Sequence, residues 1–374
     1  MSASVKAGRS LLANLDADQA LAALVGLRSC VRLVLIDPPY NRRTRFHHYG
    51  DSSPHDQWAD ERRRHLAALR PMLTKDGSLW MHIDDAEMPL ARSVLDSVFG
   101  PENFVATVVW QKTVSRDNRT DISTTHEYIL VYANDRKAFR GFRTKLPATG
   151  EQVERYRNPD HDPRGPWTSG DMTAKAGPGR RREQFYDVIL PSGRVVRPAT
   201  GTAWRFTRER LDECIADRRV DFGSGDKMPR LKRFLSEVDP GLVPDTWWPG
   251  TQVGTADTAK RHLKTLFPTL TPFETPKPEA LAARVLGIAS RPGDLVLDCY
   301  AGSGTTAAVA HKTGRRWVAI ERECRTFAEF TLPRLTLVDT GGDEDAVVTT
   351  DALRAGFDVY QPEAKPGGHQ VDSL

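Results

Sequence analysis

The stretch Leu33-Val34-Leu35-Ile36-Asp37-Pro38-Pro39-Tyr40 decides how the rest of the chain is read. Together with Val31-Arg32 it opens as a short apolar run with β-branched side chains, the mark of a buried strand. Two prolines stop the run, because proline lacks the N–H a ladder needs and fixes φ. An acid and an aromatic are therefore expected on a rigid turn at the carboxyl end of a strand. In open α/β sheets that rim is where ligands bind. The exocyclic amino group of a nucleobase suits such a turn. Its lone pair is delocalised into the ring, so it is a poor nucleophile until its N–H protons are accepted elsewhere. Asp37 would offer a carboxylate, Pro38 a carbonyl, Pro39 rigidity, and Tyr40 a ring on which the base stacks. A base inside a duplex cannot reach such a site and must be flipped out. These four residues fit a surface turn with Tyr40 in the core equally well, so the remainder of the chain has to decide.

The 374 residues are 39% hydrophobic, enough for one large α/β domain with an insertion or for two domains. No run of 18 apolar residues occurs, so no membrane partner is expected. Met1–Lys6 lacks an apolar signal core, which predicts a cytoplasmic protein. Cys30, Cys214, Cys299 and Cys324 are scattered without ligand spacing, so reduced thiols and no metal are expected. The net charge of +4 is uneven. Residues 339–374 hold eight acids and two bases, −6, which leaves +10 on residues 1–338. A body of that sign suits a polyanion, although a solvated basic surface explains the charge at least as well.

Residues 10–26 have helical spacing. After the Pro-Pro turn, Arg42, Arg43 and Arg45 alternate with aromatics in a loop suited to gripping phosphates and stacking bases. A helix is expected over 56–73, a turn at Lys75-Asp76-Gly77, a strand over 78–83, and a helix opened by Asp84-Asp85-Ala86-Glu87 with Asp84 as its cap. Strands at 104–110 and 128–132 complete residues 1–140 as half of a layered sheet. Residues 141–250 are rich in proline and glycine, with short weak elements and a basic cluster at Arg180-Arg181-Arg182. They read as an inserted region that makes contacts with DNA. A strand near 203–207, a helix over 208–216 capped by Thr207, and a strand near 220–222 are expected within it. The α/β pattern resumes over 251–338, and 339–374 reads as an acidic tail, flexible beyond about residue 362.

In that second α/β half, Leu295-Val296-Leu297 is a buried strand ending at Asp298. Then come Cys299-Tyr300-Ala301-Gly302-Ser303-Gly304-Thr305-Thr306-Ala307, a helix, and a further strand ending at Glu321. The glycines fit G-x-G-x-x-A, with Glu321 placed for ribose hydroxyls. Electrostatics chooses the cofactor. Asp298 would repel a pyrophosphate on the glycine turn. S-adenosyl-L-methionine carries a sulfonium and an ammonium instead, which an acid welcomes, and Lys277 could meet its carboxylate. A methyl sulfonium beside an amino group activated by Asp37 makes a complete reaction, which neither site does alone.

The two motifs, in this order and separated by a basic insertion, resemble those of β-class amino-methylating DNA methyltransferases over about residues 10–335. The form most similar is the adenine-specific modification subunit of type III restriction systems. Asp76-Gly77-Ser78, His82-Ile83-Asp84-Asp85, Phe99-Gly100-Pro101-Glu102-Asn103-Phe104, His126-Glu127-Tyr128-Ile129-Leu130, residues 158–167 and Thr275-Pro276-Lys277-Pro278 all resemble that group. The resemblance implies an S-adenosylmethionine-dependent methyltransferase fold. This is a Rossmann-like α/β mixed sheet with helices on both faces, in circularly rearranged order, with an inserted target-recognition region. It implies methyl transfer to adenine N6 of double-stranded DNA, because an acid before Pro-Pro-Tyr accompanies adenine and serine accompanies cytosine N4. The catalytic set is then Asp37, Pro38, Pro39 and Tyr40. The cofactor set is Lys277, Asp298, Tyr300, Gly302, Ser303, Gly304, Thr305 and Glu321, and Arg42, Arg43, Arg45, Arg180, Arg181 and Arg182 are candidate DNA contacts. A homodimer or a restriction or helicase subunit fits the same resemblance. Tyr300 stands where the family usually has Phe, and Ala13-Asn14-Leu15-Asp16 departs from its usual Gly-Asp-Asn. The alternatives are a cytosine N4-methyltransferase, a non-catalytic DNA-binding partner subunit, and a nicotinamide oxidoreductase. The last leaves Asp298 and the Pro-Pro-Tyr turn unexplained.

Overall fold

The computed structural model describes residues 1–42, 44–45, 50–148, 150–176, 182–223, 226–237, 241–271, 273–343 and 356–362. The chain divides into two compact units, Met1–Thr144 with Pro244–Leu374, and Lys145–Val243.

The main sheet of the first unit has nine strands among the described residues: β1 Ser10–Asn14, β2 Val31–Ile36, β3 Leu73–Ile83, β4 Phe104–Gln111, β5 His126–Ala133, β6 Trp247–Trp248, β7 Leu295–Asp298, β8 Arg316–Glu321 and β9 Phe357–Tyr360. Their order across the sheet is β6-β4-β5-β3-β2-β7-β8-β1-β9. Only β5 runs against its neighbours, pairing antiparallel with both β3 and β4, and every other ladder in this sheet is parallel. The sheet is thus mixed, and its central strands are largely apolar and buried, as expected of strands covered on both faces. β2 and β7 lie side by side and parallel, with Val296 opposite Leu33 and Leu297 opposite Val34. The Pro-Pro turn and the glycine turn, far apart in sequence, therefore leave the same edge of the sheet from adjacent strands.

Three expectations are corrected. The first five residues of the helix expected over 10–26 are strand β1, and the helix is confined to Ala17–Ala23, capped by Asp16. Ser10-Leu11-Leu12-Ala13-Asn14 is buried at every position. It therefore shows no alternation, and a run of this kind cannot be told from a buried helix by periodicity. Lys75-Asp76-Gly77 does not separate two elements. It lies within β3, as an excursion in which the partner of β2 jumps from Leu73 to Ser78. Asp84 does not cap the helix after β3, which starts at Met88. It accepts from Ala86 N at 3.0 Å and pairs with Arg42. The remaining elements lie within a few residues of their expected places, among them the helices His55–Leu69, Ala256–Leu266 and Glu279–Ala289. β9 had no sequence signal. It adds to β1 in parallel, Leu11 opposite Asp358 and Leu12 opposite Val359. Residues 363–374, expected to be flexible, lie outside the described residues.

The second unit contains a three-stranded antiparallel sheet of Trp167–Asp171, Arg230–Phe234 and Val220–Asp221. Thr207 caps the helix Arg208–Ala216 through Arg210 N, and Leu211 and Cys214 of that helix pack on Trp204 and Met172. The expected strand near 203–207 is Thr202–Trp204.

Candidate active site

β2 delivers Asp37 to the rim with a half-buried carboxylate. The turn after it is pinned. Trp58 Nε1 donates to the Pro39 carbonyl at 2.8 Å, and Asn41 takes the left-handed region at φ 61°. Asn41 is locked there because it donates to Glu87 at 2.6 Å and accepts from Ser53 N at 2.8 Å. Tyr40 is buried, and its hydroxyl lies 2.7 Å from Asp37 Oδ1 and 3.2 Å from Glu127 Oε2. Burial first, and then the two carboxylates, push the phenol well above its usual pKa, so it stays protonated.

Glu127 and Arg62 are residues whose part in the site sequence reasoning missed, and Glu127 is the more central. It stands at the head of β5 and is 6% exposed. Its Oε1 accepts from Arg42 Nη2 at 2.9 Å and from Lys112 Nζ at 3.2 Å. Its Oε2 faces the Tyr40 hydroxyl and Lys277 Nζ, the latter at 3.6 Å. Burial by itself would raise this carboxyl, but Lys277, Lys112 and Arg42 outweigh it and hold it at about 2. Its signals in sequence were one acid at the mouth of an otherwise apolar strand and its place in the segment His126–Leu130 that resembles the family, and neither gave it a role. His82, also buried at this end, is driven down to about 4 by burial and is a neutral imidazole at pH 7.

On the neighbouring strand, Asp298 accepts from Tyr300 N at 2.9 Å. The chain then turns through Gly302 (φ 50°) and Gly304 (φ 80°), values that side-chain-bearing residues rarely adopt. Gly302 N donates to Glu321 Oε2 at 2.7 Å, and the Gly302 carbonyl accepts from Thr331 at 2.7 Å. Arg334 braces the turn from behind, donating to the Ser303 carbonyl at 3.3 Å and to Thr305 Oγ1 at 2.9 Å. Asp298 and Glu321 are both buried, and burial pushes each carboxyl up to about 7. Cys299 is buried beside them, and its thiol is pushed up too, so it offers no thiolate.

Both turns line one open cleft of about 1300 Å³, counting the solvent at its mouth. Asp37, Pro38, Pro39, Tyr40, Arg42, Lys277, Asp298, Tyr300, Gly302, Ser303, Thr305 and Glu321 all face it. Gly304 caps the helix Thr305–Lys312 immediately behind. Lys277 holds a place that its sequence did not announce. Its ammonium sits 2.6 Å from Asp37 Oδ2, and its carbonyl lies 3.3 Å from Thr305 Oγ1. Arg62 also lines the cleft. It is 3% exposed, pairs with Glu61 at 2.5 Å, and lies over the rings of Trp58 and Tyr300. Its Nε and Nη1 have no hydrogen-bond partner among the described residues. Of the candidate DNA contacts, Arg42 is turned inward onto Asp84 and Glu127. Arg43, Arg180 and Arg181 lie outside the described residues, as do the side chains of Arg45 and Arg182.

The chain is 25% identical to "Type II methyltransferase M.EcaI" of Enterobacter cloacae, over 78% of this chain and 61% of that one. It is 27% identical to "Type III restriction-modification enzyme StyLTI Mod subunit" of Salmonella typhimurium, over 74% of this chain and 46% of the other. Across such relatives it spans about half their length, from 46% to 61%. Among solved structures, "PvuII DNA methyltransferase (cytosine-N4-specific)" aligns with 87% of this chain and 86% of its own, at 12% identity and a TM-score of 0.48. The profile of the N6_N4_Mtase family, described as DNA methylase, matches residues 31–330, from the start of β2 to beyond Glu321. With four-fifths of its length inside that match, this chain belongs to the DNA methylase family.

Proposed function

We propose that the protein transfers the methyl group of S-adenosyl-L-methionine to N6 of an adenine flipped out of double-stranded DNA. The observation that carries this reading is the single cleft that joins Asp37 to Asp298 and Glu321 through adjacent parallel strands. The bound cofactor supplies a methyl on a cationic sulfur. Two buried acids whose carboxyls are pushed up to about 7 fit it, because a cation restores what burial removed. Tyr300, Gly302 and Ser303 of the glycine turn line the space that would hold it, and Glu321 would accept from its ribose hydroxyls. The cofactor carboxylate has Arg62 in the cleft to meet, because Lys277, the cation expected there from sequence, is engaged by Asp37. Arg62 offers buried N–H groups with no partner among the described residues.

On the other side, the adenine stacks on Tyr40 and gives its N–H protons to Asp37 and the Pro38 carbonyl. That localises the N6 lone pair. The bound cofactor would give up its methyl in one displacement, the new N6–C bond replacing the C–S bond, whose electron pair would remain on sulfur. The excess proton on N6 then leaves through Asp37 to water. Alignment and polarisation supply most of the rate, and no covalent enzyme intermediate forms. The acid before Pro-Pro-Tyr supports adenine over cytosine. The inserted unit, with its basic cluster at 180–182, is proposed as the target-recognition region. The Mod subunits among the relatives support a restriction subunit as partner. Among the described residues no helix is long and apolar enough to cross a membrane.

The test is to sequence modified bases in DNA from cells that express the protein. N6-methyladenine at one recurring sequence is the expected result, N4-methylcytosine would move the reading to cytosine, and unmodified DNA would reject it. A second expectation follows from Asp298 and Glu321. With their carboxyls near 7 in the ligand-free protein, and lower once a cation faces Asp298 and ribose hydroxyls donate to Glu321, cofactor binding should release protons around and below pH 7. Affinity should therefore fall as pH drops from 8 to 6, by up to about tenfold per pH unit per group. Calorimetry in two buffers of different ionisation enthalpy reads both effects. S-adenosylhomocysteine, whose sulfur is neutral, should show the weaker dependence.

A further inference from the structure

Lys277 stands where the proposed reaction needs the substrate. Its ammonium lies 2.6 Å from Asp37 Oδ2, on the carboxylate that must accept the amine protons. It also sits 5.2 Å from the centroid of the Tyr40 ring, the surface on which the base would stack. An ammonium on that acid and over that ring imitates the amino group of a flipped base. The two cannot be present together, so Lys277 has to move before the base is seated. Its side chain is only 13% exposed, and withdrawing it unpaired would be costly.

The surroundings supply a second seat. Glu127 Oε2 is 3.6 Å from Lys277 Nζ, about 1 Å beyond a charge-assisted hydrogen bond. The two oxygens of Glu127 divide their partners. Oε1 takes Arg42 and Lys112, while Oε2 is left to the Tyr40 hydroxyl and Lys277. β5 holds this carboxylate rigidly, because Glu127 is paired across from Trp110 within an antiparallel ladder. Lys277 is fixed at its other end, since Pro276 and Pro278 flank it and its carbonyl meets Thr305. A short swing of the side chain between two carboxylates is therefore the motion open to it.

We propose that Lys277 holds the place of the target base in the ligand-free chain and is received by Glu127 when the base enters, which makes Glu127 a positioning residue. This rests on the methyltransferase reading above. No proton changes hands. The ammonium remains paired at both seats, and Asp37 is stripped of its cation only when an amine arrives to replace it. The exchange also keeps Asp37 occupied against stray cations while no base is present.

The experiment is steady-state methylation of unmethylated genomic DNA at saturating S-adenosylmethionine. It compares the wild-type protein, Glu127→Gln, Lys277→Met and the double variant. Glu127→Gln should raise the KM for DNA about thirtyfold, because a buried charge loses its receiving partner, with the KM for S-adenosylmethionine unchanged. Adding Lys277→Met to it should bring the KM for DNA back to that of Lys277→Met alone, a strong non-additivity. Additive losses, or a change confined to the cofactor KM, would overturn the proposal. If Glu127→Gln fails to bind S-adenosylhomocysteine, the single Lys277→Met variant decides. Removal of the place-holder should lower its KM for DNA below the wild-type value, and a rise would refute the exchange. A wild-type protein that methylates no DNA would instead sink the underlying reading.

Discussion

Asp37→Ala is expected to lower methyl transfer by about 10³-fold or more while leaving cofactor binding within about twofold of wild type. The reason is spatial. Asp37 contacts the Tyr40 hydroxyl and Lys277, and neither lies on the glycine turn. In the proposed reaction its carboxylate localises the N6 lone pair, a role for which no neighbour is placed. Glu127 Oε2 is within reach of the same tyrosine and lysine, but Arg42 and Lys112 hold its other oxygen. Asp37→Asn should recover little, because an amide keeps one acceptor oxygen and turns a donor toward the amine. A single-turnover assay on unmethylated DNA, paired with calorimetry of S-adenosylhomocysteine, separates the two effects. Retained transfer in Asp37→Ala would remove Asp37 from the chemistry.

Glu279→Ala is expected to cost about 3–5 kcal/mol of folding stability, read from denaturant unfolding. Glu279 is buried and accepts from Lys312 Nζ at 2.8 Å and from Arg334 Nη2 at 2.8 Å, and both cations are buried as well. Asp343 completes the group, 3.2 Å from Lys312 and 2.8 Å from His262. The carboxylates and the histidine are close enough together to hold a metal ion, but Lys312 and Arg334 already neutralise them. Removing Glu279 strands two buried cations on one remaining acid, and that penalty exceeds the worth of the lost contacts. The damage should reach the site, because Arg334 also supports Ser303 and Thr305 of the glycine turn. Cofactor affinity is expected to fall with stability. Glu279→Gln, which keeps the hydrogen-bonding shape, should lose less of both. Equal stability of Glu279→Ala and wild type would show that the cluster contributes nothing net.

Much of this molecule was legible before its fold was known, and the reasons are local. A proline pair must end a strand, and a glycine turn after an apolar run must begin a helix, whatever surrounds them. Asp37 and Asp298 could therefore be placed at strand ends, and the sign of Asp298 chose between cofactors. β1 was misread as helix because full burial erases the alternation that marks a strand. Asp84 was misread as a cap because a charged residue near a helix start has two uses. Its partner, Arg42, lies 42 residues away in sequence.

What no local pattern contains is the meeting of residues across the sheet. Glu127 reads as one acid in a strand, and Lys277 as a cation between prolines. Only the antiparallel placement of β5 and the adjacency of β2 to β7 bring them to Asp37 and Tyr40. The chemistry of each turn was written in residue types and spacing, because strain, hydrogen-bonding capacity and charge are properties of short segments. The pairing of those turns, and the choice of carboxylate that holds Lys277, came from packing, because electrostatic energy depends on distance in space and not on separation along the chain.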